Sequence, residues 1–504
     1  MPNPLYDTLF GRHAGQNTPF LHLPDASTLT HAAFLARAAQ MAHALTDGGL
    51  TPGDRVALQV QKSPDALALY AACVQAGLIF LPLNPAYTAS EVAYFVENAG
   101  AKLLICDPDK ASHLRDVARR AGAKLDTLDT HQKGSFADET AARAPEFTPV
   151  DRSEDDLAAF LYTSGTTGRS KGAMMTQKNL LSNAETLTAL WEFTAQDVLL
   201  HALPIFHTHG LFVATNVMLR AGGAMIFLPK FDVDAVIENL SRATSMMGVP
   251  TFYTRLLADP RFDADSASHM RLFISGSAPL LAETHRTFEA RTGHRILERY
   301  GMTETNMNTS NPCRGARRAG TVGLPLPDVT LKITDAKTGD TVPQGEIGMI
   351  EVSGPNVFKG YWRMPEKTAA ELRSDGFFIT GDLGMIDDEG YVHIVGRDKD
   401  LIISGGYNVY PKEVEMVLDA APGVLESAVI GVPHPDLGEV PLGILVTQTD
   451  NPPDVTTLAQ DVATKLARYK CPRKLIKIDA LPRNTMGKVQ KNLLRDRFSN
   501  VFQD

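Results

Sequence analysis

Through most of the first 400 residues, runs with a helical period alternate with short β-branched runs. That alternation confines the chain to layered α/β folds with mostly parallel sheets. Helix-like 33-AFLARAAQMAHALTDGG-49 stops at a glycine pair and leads into strand-like 55-RVALQV-60; a second helix starts near Pro64, and 102-KLLICD-107 reads as another strand. The polar stretch from 126 to 156 reads as a loosely structured connection. From 346 the texture changes: 347-IGMIEVSG-354, 376-GFFITGD-382 and 391-YVHIVG-396 are short alternating runs between turn residues, which predicts a small antiparallel, barrel-like sheet. The charged run and glycine pair of 396-GRDKDLIISGGYNVYP-411 mark a boundary at about 397–400. The expectation is a large domain over 1–396 and a small α+β domain over 397–504.

At 504 residues the chain can bury a large core in two or more domains. Its formal charge of −9 argues against a general nucleic-acid binder, which needs clustered cations. Cys73, Cys106, Cys313 and Cys471 form no C-x-x-C pair and read as free thiols in a reducing compartment. MPNPLYDTLFGRH shows no signal-peptide pattern, and the longest apolar stretch, 66-ALALYAACVQAGLIFLPL-83, is broken by Gln75, Gly77 and Pro82. It predicts a buried helix turning into a strand, not a membrane span, and a cytoplasmic protein.

The densest local signal is 161-LYTSGTTGRSKG-172, with three glycines and five Ser/Thr hydroxyls around Lys171. Gly165, Gly168 and Gly172 let backbone N–H groups approach an anion; Thr163, Ser164, Thr166 and Thr167 add donors, and Lys171 adds a charge. Strand-like 157-LAAFLYT-163 precedes it and helix-like 177-QKNLLSNAETL-187 follows. The spacing is not that of G-x-x-x-x-G-K-[ST], nor is there a G-x-G-x-x-G, so a phosphate cradle and a flexible turn both stay open from the loop alone.

Read with 204-PIFHTHG-210, 275-SGSAP-279, 300-YGMTET-305, 380-TGD-382, 396-GRDKD-400 and 482-PRNTMGK-488, the loop resembles that of the adenylate-forming acyl-CoA synthetase superfamily, over essentially the whole chain. The resemblance implies two half-reactions: a carboxylate attacks the α-phosphorus of ATP, and the thiol of coenzyme A then displaces AMP. It implies that Thr163, Ser164, Gly165, Thr166, Thr167, Gly168 and Lys171 hold the β- and γ-phosphates, with Glu304 and Thr167 at Mg²⁺ and Thr303 on the α-phosphate. Gly276, Ser277 and Ala278 would wall the adenine, with Glu298, Arg299, Tyr300, Gly301 and Met302 nearby; Asp382 and Arg397 would take the ribose. Lys488 would bridge the attacking carboxylate and the α-phosphate, and would be a natural target for a lysine acetyltransferase. A mobile C-terminal domain hinged at Lys399 would then withdraw Lys488 and bring Gly405, Gly406 and Tyr407 toward the CoA thiol.

The stretch 305-TNMNTSN-311 is polar and two histidines flank Thr208, which fits a short, hydrophilic acid. Arg169 and Ser170, where most superfamily loops carry proline before the lysine, are similar to the malonate-activating members. That resemblance implies a malonate:CoA ligase with methylmalonate as a second substrate. A cation must then meet the second carboxylate. Arg286 is the candidate, supported by Ser277 and His207, with Thr208 and Met307 beside the 2-position. If 280–291 is a helix, however, Arg286 lies roughly 140° from Leu281, toward solvent. The alternatives are a ligase for acetate, propionate or succinate, or an enzyme loading a separate carrier protein. Partners are expected to be small molecules, with neither nucleic acid nor membrane.

Overall fold

Short apolar runs bounded by glycine or proline become strands buried on both faces, as parallel sheets covered by helices require. The computed structural model describes residues 2–163, 170–404, 407–434, 437–450, 452–484 and 487–502. In one six-stranded sheet, Lys124–Thr127, Leu103–Cys106, Arg55–Gln59, Ile79–Pro82 and Leu157–Thr163 run parallel, and Lys171–Thr176 closes the edge antiparallel. A nine-stranded sheet has a parallel centre of Pro19–His22, Ala224–Phe227, Val198–His201, Ser245–Gly248, Leu272–Ser275 and Leu297–Met302. Antiparallel strands Thr28–Thr30, Asn306–Ser310 and Leu324–Pro325 complete it.

Helices His31–Asp47 and Pro64–Gln75 start on Thr30 and Ser63, whose side chains cap Ala33 N–H and Ala66 N–H. The run 66–83 is the expected buried helix followed by strand Ile79–Pro82. Phe34 and Tyr70 from these helices join Phe80 of the smaller sheet and Phe20 and Met225 of the larger in a single hydrophobic cluster. The four-stranded antiparallel sheet of Thr330–Thr334, Gly348–Ser353, Phe378–Ile386 and Val392–Arg397 packs Ile350, Val352 and Phe378 onto that cluster.

The 126–156 stretch differs from expectation. It contains helix Ser135–Ala141, which buries Phe136, Ala137 and Thr140; a segment this short carries too few repeats for its period to stand out. Residues 142–156 are irregular but pinned, with Val150 N–H donating to Gln75 O and Arg152 N–H to Pro2 O.

The C-terminal part builds its own sheet from Ile402–Ser404, Tyr407–Val409, Val424–His434, Gly438–Thr447 and Lys474–Lys477. With helices Pro411–Asp419, Val455–Lys465 and Lys491–Phe498 it encloses two hydrophobic clusters made only of residues from 402 onward. It is therefore a separate domain with its own core.

Candidate active site

Open α/β sheets bind ligands beyond the carboxyl ends of their strands, where loops from neighbouring strands converge. Here those ends bring together Thr163, the turn 204–210, Gly276-Ser277 and the segment 299–304. Ser277 follows its strand at φ 71°, a left-handed conformation that a non-glycine residue adopts only under constraint. After the 204–210 turn the chain enters a π-helical turn, His209–Thr215, a form found mostly at functional sites.

Arg299 is the least expected group in this cleft. It is only 4% exposed, and its guanidinium lies against Gly276 so closely that a Cβ there would stand 2.3 Å from Cζ. Its Nε and Nη2 are buried without a hydrogen-bond partner, and among the described residues no carboxylate forms an ion pair with it. Burial pulls its pKa down to about 9, with the Tyr253 phenol opposing. Beside it, His209 is fully buried; its Nδ1 meets Ser277 Oγ at 3.1 Å while its Nε2 has no partner. His207, half-buried, receives His209 N–H on Nδ1 at 3.3 Å. Burial, then the charges of Lys488 and Arg299, lower His207; burial, Arg299 and the neighbouring histidines lower His209. Both imidazoles are neutral at neutral pH.

Arg286 does not reach this cleft. In helix Ala282–Thr292 the buried face is Thr284, His285, Phe288 and Thr292. The Arg286 side chain, 65% exposed, is paired with Glu283 at 2.5 Å one turn back. The helical phase decided against it, and the buried, unpaired cation beside Ser277 and His209 among the described residues is Arg299. The polarity of 305–311 also has a different cause from the one expected. Strand Asn306–Ser310 is wholly buried, and its polar groups serve the interior: Asn183 and Asn356 bond the Met307 backbone, and Trp191 Nε1 donates to Ser310 Oγ at 2.9 Å. Thr208 and Met307 are buried at the near end of this strand, with Thr208 Oγ1 donating to Asn306 Oδ1 at 2.7 Å.

Across the cleft, Asp382 is buried. Its Oδ2 accepts from the Tyr300 hydroxyl at 2.6 Å and its Oδ1 pairs with Arg397 Nε at 2.6 Å, the two residues being directly opposite on adjacent strands. The Asp382 charge holds Arg397 above its usual range, and burial together with that charge keeps Tyr300 protonated. Glu298 turns elsewhere: its buried carboxylate lies 3.6 Å from His285 Nδ1. Gly301 is required by close strand approach, since a Cβ there would fall 1.8 Å from Asn306 O. Ala278, Met302 and Thr303 are half-buried beside these turns.

The C-terminal domain closes one side. A Cβ at Gly487 would stand 3.5 Å from Thr251 Oγ1. The next residue, Lys488, keeps an accessible surface yet lies within electrostatic reach of Arg397, Asp382, Glu304 and Arg299. Desolvation first, then Arg397, lowers its pKa. Lys399 is exposed in the turn Asp398–Asp400, which an Asp400–Arg495 ion pair ties to helix Lys491–Phe498. Tyr407 is exposed with its ring 4.9 Å from that of Tyr469.

Of the phosphate-type loop, Ser164, Gly165, Thr166, Thr167, Gly168 and Arg169 lie outside the described residues, as do Gly405 and Gly406. Its two ends are described. Thr163 Oγ1 donates to Glu304 Oε1 at 3.2 Å. Lys171 is buried, and its Nζ donates to Tyr361 Oη at 3.0 Å and Glu371 Oε2 at 3.2 Å; it is not the free mobile charge expected of it. Tyr361 and Glu371 carry no motif signal, because their role arises only from this packing. His209 was legible as part of 204–210, but nothing local separated it from His207.

The sequence pattern of AMP-binding enzymes matches residues 11–362, and that of their C-terminal domain matches 413–488. The chain belongs to the AMP-binding enzyme family. It is an AMP-forming acyl-CoA ligase that uses ATP and CoA. A crystal structure of ATP-bound MatB from Rhodopseudomonas palustris superposes with a TM-score of 0.98 at 55% identity, covering 100% of both chains. The ligase is 38% identical to a feruloyl-CoA synthase of an Amycolatopsis species over 478 residues, 94% of each chain. It is 35% identical to a malonate–CoA ligase of Arabidopsis thaliana over 491 residues, 90% of this chain and 79% of the relative. Among the described residues no helix is long and apolar enough to cross a membrane.

Proposed function

We propose that this ligase activates malonate, forming malonyl-adenylate and then malonyl-CoA. The observation that carries the reading is Arg299, a buried guanidinium with two unpartnered nitrogens and, among the described residues, no carboxylate partner. Leaving such a charge buried is costly unless an anion arrives. A dicarboxylic acid activated at one end supplies that anion with the other, and a planar guanidinium suits a carboxylate. The Ser277–His209 pair can give one hydrogen bond to the same group, from Ser277 Oγ or from His209 Nε2 according to the tautomer. Lys488 is within electrostatic reach of Arg299, so both cations act on the same cleft. The 55% identity to MatB and the malonate–CoA ligase relative support the reading. Methylmalonate fits the same reading if Thr208 and Met307 leave room at the 2-position.

In this mechanism the reacting carboxylate oxygen attacks the α-phosphorus and the bond to pyrophosphate breaks. Lys488 neutralises the charge that builds on both groups, and Thr303 donates to the α-phosphate. Asp382 accepts from the ribose hydroxyls while Tyr300 and Arg397 hold it in place. The small surface of Gly276, Ser277 and Ala278 faces the adenine. The residues present fit Mg²⁺: Glu304 is a buried carboxylate at the foot of the phosphate loop with no Lys or Arg at ion-pair distance among the described residues. Mg²⁺ held there, with Thr167, would neutralise triphosphate charge. The C-terminal domain then rotates at Lys399, removing Lys488 and bringing Tyr407 toward the CoA path. The deprotonated CoA sulfur forms the thioester as the acyl–AMP bond breaks.

Four free thiols support a cytoplasmic setting, and the accessible Lys488 could be reached by an acetyltransferase, which mass spectrometry of protein from cells would detect. The decisive assay is CoA-dependent AMP release with malonate, methylmalonate, succinate, acetate, propionate, butyrate and ferulate side by side. Malonate preferred by an order of magnitude or more is the expected result. The feruloyl-CoA synthase relative makes an aryl acid the second reading, and preference for ferulate would remove Arg299 from the acid pocket. AMP release with a carrier protein and not with CoA would move the enzyme to carrier loading.

A further inference from the structure

Two residues outside every sequence motif join the ends of the phosphate loop. Segment 359–362 pairs with strand Lys171–Thr176: Met174 N–H donates to Gly360 O, Lys359 N–H to Met174 O and Trp362 N–H to Gly172 O. This sets Tyr361 beside Lys171, with Nζ 4.1 Å from the ring centroid. Phe358 N–H donates to the backbone O of Glu304, so the same chain segment is fastened beside the residue whose carboxylate accepts from Thr163 at the other end of the loop. The Tyr361 hydroxyl, on a residue 2% exposed, then lies 3.0 Å from Glu304 Oε1 and 2.7 Å from Glu371 Oε2. Glu371 also holds Lys367 at 2.7 Å through its other oxygen.

Donor counting gives this cluster a direction. An ammonium has three donors. Lys171 gives one to Tyr361 and one to Glu371. Among the described residues the third has no partner, which leaves it for an incoming phosphate oxygen. We propose that Tyr361 and Glu371 are positioning residues, which set Lys171 and Glu304 as one hydrogen-bonded unit at the foot of the phosphate loop before ATP binds. Flexible lysine loses side-chain entropy when it grips a ligand, and here that cost is met during folding. Among the described residues the unit's hydrogen bonds involve neither Arg299 nor Ser277 nor His209, so it serves triphosphate binding whichever acid is used. It rests on the adenylation half of the mechanism proposed above.

The test uses full-length Tyr361→Phe, which keeps the ring and removes the hydroxyl, and Glu371→Gln, which keeps an acceptor and removes the charge. Three quantities are measured: equilibrium binding of ATP, the rate of acyl-adenylate formation, and thioester formation from supplied acyl-AMP. Each variant should weaken ATP binding roughly tenfold, the size expected for losing a hydrogen bond to a charged group. The double variant should be no worse than the weaker single. Thioester formation from acyl-AMP involves no triphosphate and should stay within twofold of the parent. Unchanged ATP affinity, or equal loss in both half-reactions, would overturn the assignment. If Tyr361→Phe does not fold, Glu371→Gln alone decides it. Adenylate formed by the parent enzyme separates failure of this inference from failure of the adenylation reading.

Discussion

Arg299→Gln tests the acid pocket most directly, because it should act on activity and stability with opposite signs. The guanidinium is 4% exposed, lies over Gly276 and has no carboxylate partner among the described residues, so in the free enzyme it is a buried charge waiting for an anion. Removing one partner of a buried, hydrogen-bonded charge pair costs about 3–5 kcal/mol, which converts to a loss of about 10²- to 4 × 10³-fold in kcat/KM for malonate. Acetate and propionate carry no second carboxylate, and their kcat/KM should fall less than threefold. Without ligand, the variant loses the penalty of burying an unpaired cation and should melt at a higher temperature than the parent. Malonate should raise the Tm of the parent by mass action and leave the variant unmoved. The assays are AMP release over a malonate titration and a paired melting experiment with malonate or acetate. An equal fall for malonate and acetate would place Arg299 in the nucleotide site instead. A malonate kcat/KM within twofold of the parent would refute the reasoning altogether.

Gly276→Ala should reproduce part of that loss from the opposite side, since the new Cβ must displace the guanidinium from 2.3 Å; malonate kinetics that match the parent would show the guanidinium has no fixed place there. Lys488→Ala should abolish adenylate formation and spare thioester formation from supplied acyl-AMP, whereas Lys399→Pro should do the reverse; pre-steady-state measurement of each half-reaction checks both. Acid sensitivity follows from His31 and His201, each 1% exposed, which burial lowers from 6.5 to about 4 and about 3. The unfolded chain binds more protons between those values and 6.5, so stability is lost as pH falls below 6.5. Asp419, raised by burial from 3.8 to about 6, opposes with one proton. His207 and His209 are lowered in the same sense, so the histidine protons outnumber the one on Asp419 and stability should fall by more than about 1.4 kcal/mol per pH unit near pH 5, measurable by urea unfolding across pH 4–7; a flat profile would contradict it.

Much of the architecture was legible because local patterning and tertiary fold agree. The strand ending at Thr163, the helix from Pro64, the antiparallel sheet through Asp382 and the separate C-terminal domain each follow from period, turn residues and breakers that act over fewer than twenty residues. Two turns of the proposed nucleotide cleft left marks for a related reason: Gly276 and Gly301 tolerate contacts that a Cβ would forbid, and such positions call for glycine.

What the acid pocket is made of could not be read in the same way. Helix phase told against Arg286, and the structure turns it to solvent beside Glu283. The resemblance set Arg299 near the adenine, and nothing in 297-LERYGM-302 marked it as an acid-pocket cation, because a strand covered on both faces carries no inside–outside alternation. The polar run 305–311 suggested a hydrophilic substrate, yet its side chains are spent on the interior of an edge of the large sheet. Tyr361 and Glu371 are far from Lys171 in the chain, and only strand pairing brings them to it. The sequence by itself determined the layers, the glycine-marked turns of the proposed nucleotide cleft and the family. Only the tertiary structure decided which cation is buried without a partner and which residues brace the phosphate-loop lysine, since burial and long-range pairing are properties of the packed chain.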